Sequence, residues 1–318
     1  MTPGEPAGPV RDALLAAGSA AAGAGDRVYA VGGMVRDLLL GRSPRDLDLA
    51  VESGAGESHT FATRLAALPG WSGTALHGRF GTATLRAPGG LRVDVAATRR
   101  ESYPVAGALP SVTTGATILE DLGRRDFPVH AMARAVGPDG TLAAPLDPFG
   151  GARDVASGTI RLLHAGSLAD DPTRLFRAAR YLSRLSFRPD EPAFREALER
   201  SVAAGSWRSI SGDRLRRSLE EVLAEERFEE ALAWLSGVGG LSLVVAGWTF
   251  PPGRGGRGAP PVPDGGAVSR SGSPADHEAP LARRWRILLA GLEPPGRFAA
   301  AARLFFSRRL RRATGVPA

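Results

Sequence analysis

Residues 29–52 read YAVGGMVRDLLLGRSPRDLDLAVE. RVYAV (27–31) has the look of a short buried strand, and the two glycines that follow turn the chain into a helix over 34–40. Gly41 and Pro44 end that helix, and DLDLAVE (46–52) alternates as a second strand. Gly32 and Gly33 carry no Cβ, so backbone can approach a phosphate closely there. The helix behind them offers free N–H groups and the positive end of its dipole, and Arg36 adds a charge for the same anion. Side chains two apart on a strand share a face, which brings Asp46 and Asp48 together. Two like charges on one face repel, so a bound Mg²⁺ would relieve them. A bare D-x-D also describes two solvated acids at a strand edge; the glycine turn before it favours the metal reading.

The rest of the chain bears on that reading. Its 318 residues suffice for two domains with real cores. With no cysteine there are no disulfides and no thiolate metal sites, and the chain suits the cytoplasm. No apolar run approaches the roughly 20 residues of a membrane span, so no membrane partner is expected. A secretion signal is not expected either. Lysine is absent and all 40 basic residues are arginine; the net charge of +7 favours a polyanionic partner.

Helical spacing at 10–22, the strand–turn–helix–strand unit at 27–52, a helix at 57–68 and three β-like runs (SGTALH, GTATLRA, LRVDVAA) describe a small mixed α+β head over 1–150. The pattern then becomes all-helical: 170–187, 191–204, 211–225 and 227–236 fall in a neck over 151–240. A shorter body or tail over 241–318 opens with a Pro/Gly/Ser-rich segment at 251–280, read as a linker. It ends in an arginine-rich helical stretch in which RLFFSRRLRR (303–312) suits either phosphate contact or a solvated helix end. The stretch 99–118, with SYPVAGALP inside it, reads as a mobile loop.

Three further constellations carry charge. Asp94 in LRVDVAA is a candidate third carboxylate beside Asp46 and Asp48. Arg124, Arg125 and Asp126 form a compact cluster that could be an ordinary surface ion-pair group. On the helix 170–187, Asp170 or Asp171 can cap the N-terminus with Pro172 beside it. Arg174, Arg177, Arg180 and Arg184 lie within about 120° of one another, opposite Leu175, Leu182 and Leu185. No acid stands in the following turns to pair with them, so an anion is the expected partner. The histidines show no ligand spacing, and His130 and His164 read as structural.

Taken together, GGMVRDLLLG followed by RDLDLAV resembles the signature of the class II tRNA nucleotidyltransferase/bacterial poly(A) polymerase family. EDLGRRDFPVHAMA (120–133) is similar to that family's R-R-D-F-T-I-N-A-M-A element, with Pro128 and His130 in place of its Thr and Asn. DPFGGARDVASGTIR (147–161), DDPTRLFRAARYLSRLSF (170–187) and SGDRLRRSLEEVL (211–223) resemble its neck in the family's order. The resemblance implies a nucleotidyltransferase-type mixed-sheet head followed by an all-helical neck and body. It implies that Asp46 and Asp48 hold Mg²⁺; the class II pattern is looser at Asp94, which stays a candidate third catalytic carboxylate. It also implies that Gly32, Gly33, Arg36, Arg124, Arg125 and Asp126 contact the incoming nucleotide. Asp171 and Arg174 would read the base, and Arg177 and Arg180 would hold the triphosphate. The implied reaction is template-independent addition of CMP and AMP, from CTP and ATP, to the 3′ end of tRNA. A-only, CC-only and poly(A) addition share these motifs. A basic RNA-binding protein without catalysis is the reading from another class, and it would need no metal-binding carboxylates.

Overall fold

The computed structural model describes residues 6–52, 58–77, 81–250, 274–304 and 306–316. They form two units, one of 1–104 with 109–164, the other of 105–108 with 165–318.

In the first unit, α1 (Pro9–Ala22), β1 (Arg27–Val31), α2 (Gly33–Leu39), β2 (Asp46–Glu52), α3 (Ser58–Ala66), β3 (Ser72–His77), β4 (Thr82–Arg86) and β5 (Arg92–Ala97) follow one another. Next come β6 (Arg99–Ser102), β7 (Ser111–Thr114), α4 (Ile118–Gly123), β8 (Ala133–Ala135) and α5 (Gly151–Ser157). A six-stranded sheet runs in the order β3-β4-β5-β2-β1-β8. β2 and β5 pair in parallel, and the other neighbours are antiparallel. Alternation sorts the faces. Leu47, Leu49, Val93, Val95, Ala83 and Leu85 join Leu14, Ala17, Phe61 and Leu65 of α1 and α3 in the main core. Full burial of each large apolar side chain is worth about 1.5–3 kcal/mol. The residues between them on β2, β4 and β5 face the other way, and that leaves a polar sheet face for chemistry.

Two expectations for this unit change. The stretch 99–118 is not simply a loop: β6 and β7 pair as an antiparallel hairpin with Arg99 opposite Thr114 and Ser102 opposite Ser111. Its strands are four residues each, all polar but Val112, too short and too hydrophilic to show period-two burial. The head also runs past residue 150, to His164. Asp147 caps α5 by accepting from the N–H groups of Gly151 (2.7 Å) and Ala152 (2.9 Å). Leu163 N–H donates to the Asp126 carbonyl (3.1 Å), tying the segment back to the head.

The second unit holds α6 (Ser167–Asp170), α7 (Thr173–Leu185), α8 (Glu191–Ala203), α9 (Ser206–Ser209), α10 (Gly212–Leu223), α11 (Phe228–Gly237), α12 (Gly240–Val244), α13 (Pro274–Leu289), α14 (Pro294–Arg303) and α15 (Arg308–Thr314). Leu175, Phe176, Ala179 and Leu182 of α7 are buried, as are Leu215, Leu219 and Val222 of α10 and Leu232 and Leu235 of α11. The helix expected over 170–187 forms as α7 over Thr173–Leu185, with the short α6 ending just before it. Asp171 is extended (φ −140°, ψ 100°) between them, because the ring of Pro172 disfavours α conformation in the residue before it. The Pro/Gly-rich reading of 251–280 also shortens: α13 begins at Pro274, and 251–273 lie outside the described residues. Near the C-terminus Phe306 is buried edge-on against Trp285, ring centroids 4.8 Å apart. It is therefore core, and does not serve as an aromatic platform. No described helix is long and apolar enough to cross a membrane.

Candidate active site

The site grows from the parallel register of β2 and β5, in which Asp46 pairs with Arg92 and Asp48 with Asp94. Thr84 of β4 stands opposite Asp94. All five side chains therefore fall on the polar face of the sheet. Thr84 Oγ1 donates to Asp94 Oδ1 (2.6 Å), and Arg92 Nη2 reaches Asp94 Oδ2 at 2.9 Å. Asp46 is exposed and Asp48 half-buried. Burial pushes the Asp48 carboxyl up, helped by the charges of Asp94 and Asp46 and opposed by Arg125 and Arg92, to about 6. The charges of Asp94 and Asp46 thus reach Asp48 across the shared face.

A cleft of about 410 Å³ opens over this face, lined among others by Asp48, Thr84, Arg92, Asp94, Asp121, Arg124 and Arg125. A larger cleft of about 640 Å³ lies beside the β6–β7 hairpin, lined by Arg100, Glu101, Glu120 and Arg124 among others. Its arginines are matched by acids: Arg100 meets Glu120 (3.0 Å), and Arg124 meets Glu101 (3.0 Å). The smaller cleft holds the clustered carboxylates and is the candidate site.

Arg124 and Arg125 enter it from the end of α4. Thr117 and Glu120 close a reciprocal capping box at that helix's start, a device worth about 1 kcal/mol. At its other end the Asp121 carboxylate, 1% exposed, takes Arg124 on Oδ1 (Nη2, 2.7 Å) and Arg125 on Oδ2 (Nη2, 2.9 Å). Burial would raise Asp121, yet Arg125 and Arg124 hold its carboxyl below the usual range. Asp121 was missed as a functional residue although it stands three and four positions before its partners, a spacing that could have revealed it.

The glycine turn sits against the same arginines. Gly32 adopts φ 66°, and a Cβ there would lie 3.0 Å from Arg125 Nη1. Arg36, expected to face an anion, is instead buried. Its Nε and Nη2 donate to Asp37 Oδ1 (2.9 and 2.7 Å), and its Nη1 lies 2.6 Å from His130 Nε2. Asp126 is buried as well, its Oδ1 accepting from Phe127 N–H (2.9 Å). α2 is only seven residues long, so its dipole contributes less than a long helix would.

In the second unit, Asp171 Oδ1 accepts from Thr173 N–H (2.9 Å), from Thr173 Oγ1 (2.6 Å) and from Arg214 Nη2 (3.0 Å). Arg174 is buried and donates to Ser167 Oγ (2.7 Å). Arg177 stacks on Tyr181, 5.9 Å from the ring centroid. The expectation that an anion is the partner of the α7 arginines fails for two of the four, which meet acids from further along the chain. Arg180 meets Glu225 (3.0 Å) and Glu221, and Arg184 Nε donates to Glu225 (3.0 Å). Those acids lie more than 40 positions away, beyond the reach of a helical-spacing argument. Arg214 was likewise invisible as a partner of Asp171, 43 residues before it.

The residues fit a hydrated Mg²⁺. Among the described residues no group of three or more acids and histidines could hold a cation, and Asp94 is occupied by Thr84 and Arg92. Asp46 and Asp48 remain as a two-carboxylate donor set. Mg²⁺ is typically bound by one or two carboxylates, with substrate phosphates and water completing its shell.

A mixed sheet with paired carboxylates on the strand after a Gly-Gly turn defines a nucleotidyltransferase head. Residues 28–161 match the poly A polymerase head domain. The chain is 40% identical over 217 residues to the A-adding tRNA nucleotidyltransferase of Geobacter sulfurreducens, a match covering 68% of this chain and 24% of that protein. It is 36% identical over 225 residues to the CC-adding tRNA nucleotidyltransferase of Deinococcus radiodurans, covering 70% of this chain and 57% of that one. A solved CCA-adding enzyme in an apo form superposes with a TM-score of 0.74 at 29% identity, covering 95% of this chain and 69% of that structure. Residues 28–161 thus form a head domain of the poly A polymerase type, in a chain similar to tRNA nucleotidyltransferases over most of its length. The chain spans about a quarter and rather over half of the two curated relatives' lengths.

Proposed function

We propose that the protein adds CMP and AMP, without a nucleic-acid template, to the 3′ end of tRNA, consuming CTP and ATP and releasing pyrophosphate. The observation that carries this is Asp48 and Asp94 in register beside Arg125 in one cleft, with Asp46 on the same face of β2. A protein that only bound RNA would have no use for converging carboxylates on a basic chain. Asp46 and Asp48 hold Mg²⁺, which supplies activation of the attacking 3′-hydroxyl and neutralisation of the triphosphate. Asp94, bonded to Arg92 and Thr84, fixes the strand face on which the pair stands. Arg125 lies on the open side of the glycine turn and receives phosphate charge, with Arg124 beside it. In the second unit Asp171 and Arg174 read the base, and Arg177 and Arg180 face the triphosphate. The cysteine-free composition suits the cytoplasm.

A narrower reading is addition of A alone, favoured by the 40% identity to an A-adding relative. One experiment separates the readings: purified protein is incubated with tRNA ending at the discriminator base, at C or at CC, with each labelled nucleotide in turn. Growth by three residues from the discriminator base supports full addition. A single A gained only by the CC-ended substrate supports the narrower reading, and absence of any incorporation rejects both.

A further inference from the structure

Each of the two adjacent glycines faces a guanidinium. A Cβ at Gly32 would stand 3.0 Å from Arg125 Nη1, and one at Gly33 would stand 3.6 Å from Arg36 Nη2. Both guanidiniums are bonded to one residue, His130. Its carbonyl accepts from Arg125 Nη1 (3.1 Å), and its Nε2 lies 2.6 Å from Arg36 Nη1. Arginine only donates, so Nε2 is the acceptor and the ring proton sits on Nδ1. That nitrogen faces Asp126 Oδ1 at 3.4 Å. The ring is 6% exposed and Phe127 packs against it edge-on at 5.9 Å. Gly32 N–H donates to the carbonyl of Met132, two residues further on (3.1 Å). One buried residue thus ties the α2 arginine and the carboxylate of Asp126, through its ring, and the arginine that faces Asp48, through its carbonyl, to the glycine turn.

We propose that His130 is a positioning residue for nucleotide binding. Its ring and carbonyl set Arg36 and Arg125 behind and over Gly32–Gly33, so that the turn presents bare backbone beside a fixed cation. A side chain at 130 that can both accept from Arg36 and donate to Asp126 is required. Asparagine meets that demand, with Oδ1 accepting and Nδ2 donating; leucine fills similar space and does neither.

This rests on the nucleotidyltransferase reading, and wild-type turnover is its separate control: a wild type that transfers no nucleotide refutes that reading. ATP affinity is then measured alone, by calorimetry with Mg²⁺, for wild type and variants, so the positioning role is judged with or without turnover. His130→Leu is expected to weaken ATP binding about tenfold or more. Where turnover is seen, it raises KM by a similar factor with kcat changed less than about threefold. His130→Asn is expected to recover most of the affinity. In an Arg36→Ala background, His130→Leu should add much less than it does alone, because both act through one contact. Unchanged ATP affinity in a folded His130→Leu overturns the proposal. So does equal damage in the Leu and Asn variants, or strict additivity with Arg36→Ala.

Discussion

Asp48 and Asp94 stand directly opposite one another on the parallel β2–β5 ladder, and the charge of Asp94 makes Asp48 harder to ionise. For Asp48, burial and the charges of Asp94 and Asp46 outweigh Arg125 and Arg92, and its carboxyl titrates at about 6 against an ordinary 3.8. Between those two values the folded, metal-free protein holds a proton that the unfolded chain has released. Raising pH through this window therefore lowers stability, by up to about 3 kcal/mol once Asp48 is ionised. Other carboxylates, Asp121 among them, act in the opposite direction, so the comparison with Asp48→Asn isolates the term. In urea unfolding without metal, the variant should gain on wild type as pH rises from about 4 to about 6, then hold a constant margin. A margin that does not change with pH would refute the coupling.

Asp46 and Asp48 should each be indispensable for turnover. Asp46→Ala and Asp48→Ala are each expected to lower nucleotide incorporation by about a thousandfold or more while leaving the fold intact, since a repelling charge is removed. Circular dichroism and thermal melts check the fold. Labelled-nucleotide incorporation in Mg²⁺ checks the chemistry. Near-normal turnover in either folded variant would move the metal elsewhere.

Asp121 carries a different prediction, one of stability and position together. Removing its carboxylate leaves Arg124 and Arg125 without their shared acceptor in a nearly closed environment, and breaking one side of a buried pair costs about 3–5 kcal/mol. Because both arginines remain partly exposed, the lower part of that range is expected for Asp121→Ala. Chemical denaturation gives the number. A cost below about 1 kcal/mol would show that the two forks are held by other contacts.

The head was legible in the sequence because its logic is local. The i, i+2 rule places Asp46 with Asp48, and the glycine turn precedes them within one short unit. The helix-end chemistry was less so: Thr117 and Glu120 have capping-box spacing, but the acids and arginines around them hide it. What could not be read were partners far apart in sequence. Arg36 looks like a free cation until His130, 94 positions later, arrives beside it. The arginines of α7 look unpaired until Glu221 and Glu225 of the helical unit meet them. Pro172, by contrast, did announce the break before α7, through its effect on Asp171, although the helical spacing on either side masked it.

Asp171 offers the sharpest test of base selection. Cytosine and adenine each present an amino donor beside an unprotonated ring nitrogen, whereas uracil and guanine present a carbonyl beside a ring N–H. An ionised carboxylate only accepts and an arginine only donates, so an Asp–Arg pair complements the first two bases. In the structure the bonds from Thr173 and Arg214 all fall on Asp171 Oδ1. Helix support and base reading can therefore be separated by one substitution. Asp171→Asn keeps an oxygen for Thr173 and Arg214 and replaces Oδ2 with an amide donor. Facing the amino group of C or A, that donor leaves both groups unpaired, at about 1–3 kcal/mol each; facing the carbonyl of U or G it bonds. The expected outcome is a fall in the preference for CTP and ATP over UTP and GTP of about tenfold or more in kcat/KM, with the melting temperature changed little. Asp171→Ala should lower stability as well, because Thr173 N–H then loses its acceptor. If Asp171→Asn lowers kcat/KM equally for all four nucleotides, Asp171 supports α7 and does not read the base.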